Sequence, residues 1–564
     1  MSSNNPTGYN PTKIERPRSI FPVNKRHITT LKIGEITPIM CEEVIPGDTW
    51  SIDISSVSRM VAPFVSPVYG DITMSVYAFF CPNRLLWEHW FQFCGQNDEQ
   101  AWTQTNEYKI PQAKVNIEGK KLTGSGEPIG AALGTLADHF GLPVKNSVGL
   151  VKINELPLRA YARIYNEYFR NENTDDPILV SYGDAPNTAI KYEDMPKLAC
   201  RFHDYFSNAL PAPQKGPSVT VPIAGQAPII MSSLGKPMTT DYPLYMDVTG
   251  NGSDSEPYNF KMTTSGNVVT PVGGLEIPVS NMEADLSKAV SATINAWRLA
   301  AQTQIFYETC ARYGTRYNEL VYGLFGVKTG DTRSYRVEQL GGLHFALAMQ
   351  EVTATSSSAD NSTTQYALGQ QVVKMASGNK GSLFTKSFAE HGYLMLVAVP
   401  RVKHQYNQGI DRKWKRETFL DFYNPIFDNI GETPLLESEI YATSENSAID
   451  GKSWNDREVQ EAFGYQEAWA EYRYFKDENT GFMRPQTSAN PNGDKGLPTY
   501  TFSDNYEDAP TLSGFMKETR KNVQRTLALT DLKYDIMNDF MLTGKVARPM
   551  SVRSIPGLLD HHGI

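Results

Sequence analysis

Between residues 27 and 82 apolar and polar positions alternate with a period of two, the spacing that gives a β-strand one core side and one solvent side. "HITTLKI" is β-branched. "VIPGDTWSIDISS" sets a Pro-Gly-Asp turn before Trp50, Ile52 and Ile54, and "DITMSVYAFFCP" alternates Ile72, Met74, Val76, Ala78 and Phe80. Three strands are expected there. The period then changes. Leu86, Trp90 and Phe93 predict a helix capped by Gly95, and "LPLRAYARIYNEYFRNEN" predicts another with Leu158, Tyr161, Ile164, Tyr165 and Tyr168 on one side. "SNME" at 280–283 is an S-x-x-E capping box followed by Leu286, Val290, Ile294, Trp297, Ala301 and Ile305, so the best helix is expected from there to near Gly314. "YLMLVAVP" at 393–400 has no polar side, which suits a strand buried on both faces and is far too short to span a membrane.

Two stretches break these periods. Residues 1–26 are polar, basic and Pro-punctuated, and read as an extended arm. Residues 211–280 carry eight charges, ten prolines and eight glycines, yet their apolar content is too high for disorder. They read as short strands in a protruding insertion. The expected division is therefore an arm (1–26), a core (27–210 and 281–564) and an insertion (211–280).

Composition adds two constraints. With 564 residues, 40% apolar, 20% charged, 35 Pro and 42 Gly, the chain is globular and leans toward β structure. The start has no apolar h-region, which predicts no secretory signal, and five scattered cysteines without CxxC spacing read as small buried hydrophobes. A net charge of −9 argues against coating nucleic acid by bulk charge. The bases are nonetheless clustered: Lys13, Arg16, Arg18, Lys25 and Arg26 near the start, six Lys or Arg in "RVKHQYNQGIDRKWKR" (401–416), and a third group in "KETRKNVQR" (517–525).

Catalytic motifs are missing or malformed. "GLFGVKT" and "GSGEPIG" lack the spacing of phosphate-binding loops, and there is no HExxH, no GxSxG and no helical His pair. No cofactor, metal or catalytic residue is expected. The segment "FGYQEAWAEYRY" (463–474) has five aromatic residues among twelve. As a helix it forms a stripe of Tyr465, Trp469 and Tyr472; as a strand it mixes rings and charges on both faces. Glu467 and Glu471 could imitate a glycosidase pair, but Arg473 beside them favours ion pairing. Obligate interfaces favour Tyr, Trp and Arg, so Tyr465, Trp469, Tyr472 and Arg473 are candidate contacts between subunits.

Six segments in order ("YAFFCPNRLLWEHWFQFCG", "LPLRAYARIYNEYFR", "ARYGTRYNEL", "FGYQEAWAEYRY", "GFMRP" and "RPMSVRSIPGLLDHH") resemble the major capsid proteins of the Microviridae, specifically the gokushovirus branch of small single-stranded DNA bacteriophages. The resemblance runs from about residue 20 to the end. It implies a mainly β protein, an eight-stranded viral jelly-roll sandwich with large loop and helix insertions. It also implies a T=1 icosahedral shell of about sixty copies, with pentamers as building blocks, around a circular single-stranded DNA genome. The 211–280 insertion would cluster at three-fold axes and engage a host-surface receptor. Implied partners are further copies of the chain, the encapsidated DNA, a small basic internal DNA-binding protein, and scaffolding and DNA pilot proteins. The implied location is the virion, assembled in the bacterial cytoplasm without membrane insertion. A second reading is a jelly-roll carbohydrate-binding protein or glycoside-processing enzyme.

About sixty copies at −9 each would carry roughly −540 charges, so DNA would have to meet local basic segments. Lys13, Arg16, Arg18, Lys25 and Arg26 on the arm are candidates. So are Arg412, Lys413, Lys415 and Arg416, with Trp414 placed to stack on a base.

Overall fold

The Pro-Gly-Asp turn at 45–48 shows how the strands are launched. Gly47 takes φ +93°, and the Asp48 carboxylate accepts from the Ile45 amide at 3.3 Å and the Trp50 indole at 3.2 Å. On either side lie β2 (Thr37–Val44) and β3 (Thr49–Met60). The turn carries the chain from one sheet to the other, so β2 and β3 do not pair. The structure, a computed structural model, describes residues 17–96, 108–116, 131–144, 150–217, 219, 294–313, 316–327, 335–347, 371–442, 462–485 and 496–553. It also describes the backbone of short strands between 229 and 284 and at 349–353, and of residues 371–375 only the backbone.

Seven more strands complete two antiparallel sheets: β1 (Ser19–Leu31), β4 (Ile72–Pro82), β5 (Glu338–Ala346), β6 (Met349–Thr353), β7 (Gln371–Ser387), β8 (Gly392–Val402) and β9 (Ile536–Arg548). The first sheet runs β1-β9-β3-β7-β6 and the second β5-β4-β8-β2. Their facing sides form one apolar core, with Ile52, Ile54, Phe540 and Leu542 from the first and Val76, Ala78, Leu394 and Leu396 from the second. The chain is thus a mainly β sandwich. At one side the sheets nearly touch: a Cβ on Gly341, beside the bulge in β5, would lie 2.2 Å from the Leu383 carbonyl oxygen of β7. Only glycine allows that approach.

Strand β8 is buried at every position, as its unbroken apolar run predicts. Its other face, with Tyr393, Met395, Val397 and Val399, meets a second core that includes Trp87, Leu158 and Tyr161. Leu158 and Tyr161 lie on α1 (Leu156–Ile164), and residues 165–169 continue it as a wider π-type turn. Arg159 on α1 is fully buried, held by Glu155 at 3.2 Å and by the Leu86 and Ala185 carbonyls at 3.1 and 2.8 Å. The helix expected at 86–93 is one turn, Trp90–Phe93.

Two expectations are corrected. The arm does not reach residue 26, because Ser19–Leu31 pairs with β9 along its whole length. Phe21 and Val23 pack on the core, and Pro22 is tolerated since β1 is an edge strand, where a missing N–H costs no ladder bond. Of the helix expected after "SNME", Ile294–Arg312 is described (α2) and residues 285–293 lie outside the described residues, while Met282–Ala284, at the expected cap, is a strand paired with Ile229–Met231. Pairing across the insertion overrides the local cap signal.

Residues 214–313 form a compact unit of their own and the rest of the chain another. The smaller unit contains α2 and short antiparallel pairings, such as Tyr245–Asp247 with Ser255–Pro257.

Beyond β8 a buried charged network joins four segments of the larger unit. His404 lies 3.2 Å from Asp504 and 3.1 Å from Glu518, and Asp504 also accepts from Arg201 at 2.7 Å, Tyr506 at 2.9 Å and Asn522. Burial alone would lower the His404 pKa, but the two carboxylates outweigh it and raise it from 6.5 to about 9. Stability from this ion cluster is therefore fully present below pH 6.5 and is lost as pH rises through about 9. Thermal melting of the folded chain should weaken from pH 7 to pH 10 by about 3 kcal/mol more in wild type than in His404→Gln. Parallel pH dependence in the two proteins would remove His404 as the source.

Candidate interaction surface

The segment "FGYQEAWAEYRY" is neither one helix nor one strand. Ala462–Glu467 is a strand paired antiparallel with Glu432–Leu436, and Ala470–Tyr472 is a single 3₁₀ turn. Between them Trp469 takes φ +64°, the single positive φ among described non-glycine residues. A bulky residue in this region is strained by on the order of 1–3 kcal/mol, so its surroundings must hold it there. They do so through a loop at 423–431. The Trp469 indole donates to the Phe427 carbonyl at 3.0 Å, and its ring meets Tyr423 edge-on at 5.8 Å. The Ala468 amide donates to Gly431 at 3.1 Å. Arg473 bridges Glu467 at 2.9 Å, Asp428 at 3.1 Å and the Ala468 carbonyl at 3.0 Å. Trp469 and Arg473 are thus braces within the chain. Tyr465 is half-buried and exchanges both backbone hydrogen bonds with Leu210 at 2.7 Å. Tyr472 is the most open of the four candidates.

The braces hold up an apolar surface that the sequence reading missed. "ETFLDFYNPIFDNI" (417–430) has seven large apolar residues in fourteen positions, with no helical or strand period and a proline in the middle. Seven such residues without a period were the available signal. In the fold they face outward: Phe419 is 78% exposed and Ile426 84%, and Phe475 just beyond the braced segment is 90% exposed.

The basic cluster at 412–416 lies under this surface and is largely paired. Arg412 meets Glu439 at 2.8 Å; burial opposes its charge, but the Glu439 carboxylate outweighs burial and raises its pKa. Lys415 is buried, donates to the Ser438 hydroxyl, and is pushed down by burial to about 8. Arg416 meets Glu471 at 3.0 Å and lies over the Tyr472 ring at 4.6 Å. Lys413 contacts Asp411 at 3.0 Å, and Trp414 is 73% exposed. A pocket of about 270 Å³ opens among Arg412, Arg416, Glu471, Tyr474 and Phe475.

The other candidates lie elsewhere. Lys13 and Arg16 are outside the described residues, and Arg18 is exposed just before β1. Lys25 pairs with Glu42 at 2.7 Å, and Arg26 chelates Asp539 at 2.6 to 3.1 Å. In the third cluster Lys517 meets Asp175 at 3.2 Å, Arg520 meets Asp535 at 2.7 Å, and Arg525 donates to backbone carbonyls at 498–503. Glu467 and Glu471 are each engaged by a guanidinium, so they do not form a free acid–base pair. Among the described residues no group of three His, Cys, Asp or Glu could hold a metal, and no helix is long and apolar enough to cross a membrane.

Comparison with known proteins agrees with the resemblance read from the sequence. A family model described as "Capsid protein (F protein)" matches residues 11–558. The chain is 35% identical to Capsid protein VP1 of Spiroplasma virus 4 over 561 residues, covering 96% of this chain and 95% of that one. It is 33% identical to Capsid protein VP1 of Chlamydia phage 1 over 600 residues, with 96% of each covered. The match to Capsid protein VP1 of Bdellovibrio phage phiMH2K is 33% over 533 residues, with 93% of each covered. The chain belongs to the phage capsid protein (F protein) family and is a structural, non-enzymatic component of a microvirus virion.

Proposed function

We propose that the chain is the major shell subunit of a T=1 icosahedral capsid, about sixty copies around a circular single-stranded DNA genome. The observation that carries this reading is the strand order. Successive strands β1 to β4 alternate between sheets, β5 returns beside β4, and β7, β8 and β9 alternate again. That order supports reading eight of the strands as an eight-stranded viral jelly roll, with β6 as an added edge strand. The carbohydrate reading has no comparable support, because each carboxylate of its would-be pair is tied to an arginine. Electron microscopy of the purified chain or its particles tests the proposal: uniform closed shells support it, and discrete small oligomers that bind sugar overturn it.

The insertion at 211–280 is proposed as the outer protrusion, clustered at three-fold axes and engaging a host receptor. Most of it belongs to the compact unit 214–313, which supports this, since a segment outside the unit that holds the sandwich can be trimmed without unfolding the sandwich. Scaffolding and pilot proteins would act in assembly and entry. Shortening the chain within 240–270 should leave particle yield within about twofold of wild type and sharply reduce adsorption to host cells. Loss of particles altogether would make the insertion a structural part of the shell.

For the genome, we propose that Lys13, Arg16 and Arg18 face inward and touch phosphate. Lys25, Arg26 and most of the 412–416 cluster are committed to carboxylates. Three cations per copy neutralise little of a packaged genome, so a small basic DNA-binding protein is proposed inside the shell. Neutralising Lys13, Arg16 and Arg18 together should lower DNA content per particle and flatten its salt dependence. Unchanged content and salt sensitivity would leave the arm with no part in holding DNA.

A further inference from the structure

The aromatic surface around Trp469 is too large and too exposed to face water by default. Trp414, Phe419, Phe422, Ile426, Tyr472 and Phe475 are each between 44% and 90% exposed. Phe419, Phe422 and Ile426 lie on one short segment, Arg416 lies over both Phe422 and Tyr472 at 5.4 and 4.6 Å, Phe475 lines the same pocket as Arg416 and Tyr472, and Lys413 of that pocket lies over the Trp414 ring at 5.6 Å. With about 200 Å² for a whole aromatic side chain, the exposed apolar area is on the order of 1,000 Å². The largest patch of an ordinary monomer is about 300–600 Å², and a stable interface takes about 800 Å² from each partner.

The occupant follows from charge and shape. Four cations and four carboxylates line the pocket, and the cations are bound by neighbouring carboxylates, as in Arg412–Glu439 and Arg416–Glu471. Such a surface offers little to a phosphate polymer, which needs cations free of partners. A surface that docks onto its own copy meets the opposite requirement: any net charge would face itself across the axis. The same patch carries a projecting ring, Phe475, and the pocket of about 270 Å³ beside it. A cavity of about 150 Å³ holds benzene, so this one has room for a phenyl ring.

We infer that this face is a two-fold contact between copies of the chain, in which Phe475 of each copy enters the pocket bounded by Arg412, Arg416 and Glu471 on the other. The inference deepens the shell reading, supplying one of the contacts a closed shell needs. Because knob and hole lie on one patch, the contact is isologous and closes after two copies.

The test places a photo-crosslinking amino acid at position 475 in the full-length chain and maps the crosslinked peptides. Crosslinks to 411–416 or 471–478 of a second copy are expected, and they support the contact even if no closed shells form, an outcome that would sink the shell reading alone. Crosslinks chiefly to DNA, or to a distant segment of a second copy, overturn it. In parallel, Phe475→Ala with Ile426→Asp should cut shell yield at least about tenfold. Both residues are solvent-facing in the isolated chain, so far-UV circular dichroism and melting should not change. Phe475→Tyr should retain shells. Wild-type shell yield from the double variant would overturn the inference and leave the shell reading standing.

Discussion

The molecule is organised around a strand with no solvent face. Every residue of β8 is buried, one side against the opposing sheet and the other against the layer built on α1. A strand in that position must satisfy its ladder on both edges and its side chains on both faces, so it fixes the places of β2 and β4 beside it. The first sheet is needed to cover one face, and the long connection from β4 to β5 must supply the helical layer that covers the other. Trp87, Leu158 and Tyr161 are apolar for that reason. Tyr161 also uses its hydroxyl, which donates to the Ile36 carbonyl at 2.9 Å and accepts from the Lys197 amide at 2.9 Å. A phenol can be fully buried there because both its roles are filled.

Buried charge follows the same economy of partners. The large unit holds Arg159, Arg201, His404, Asp504 and Glu518 at under a tenth exposed, and each has an opposite charge within 3.2 Å. Clusters of this kind do not add much net stability relative to an apolar core, but removing one member strands the others. The network at Asp504 therefore acts as a lock between segments far apart in sequence, where little regular structure is present to do so. Runs of Lys and Arg in such a protein do not by themselves identify a surface for nucleic acid, since most of the basic residues at 401–416 and 517–525 bind carboxylates or carbonyls.

This bears on what could be read from the chain alone. The inner strands β3, β4 and β8 were legible because burial of one or both faces imposes a period of two or an unbroken apolar run, as in "DITMSVYAFFCP" and "YLMLVAVP", whereas the inner strands β7 and β9 were not singled out. Of β1 only the second half, in "HITTLKI", was legible, because edge position excuses Pro22, Lys25 and Arg26 in the first half, and these residues imitate an arm. The helix expected after the capping box is described as α2 from Ile294, and Met282 and Glu283 of that box are used in strand pairing. The contact reading of "FGYQEAWAEYRY" named residues of two kinds. Trp469 and Arg473 look like contact residues by type, yet their hydrogen bonds run inward. The residues that do face outward lie forty to fifty positions earlier, and only the tertiary pairing of Glu432–Leu436 with Ala462–Glu467 brings them alongside. No local period can encode that.

The strain at Trp469 gives the surface its rigidity. An exposed loop rich in Phe, Leu and Ile would by itself collapse on its own apolar side chains, hiding the rings that a partner needs. Here the 427–431 segment is tied to 467–473 by the indole of Trp469, the amide of Ala468 and the Arg473–Asp428 ion pair. Those bonds form only if the backbone turns through the left-handed region at Trp469, where an ordinary side chain is disfavoured. Holding that conformation before any partner arrives moves the ordering cost from association into folding. A pre-set apolar plate then associates without further loss of backbone freedom, which is what assembly from many identical copies at low concentration requires.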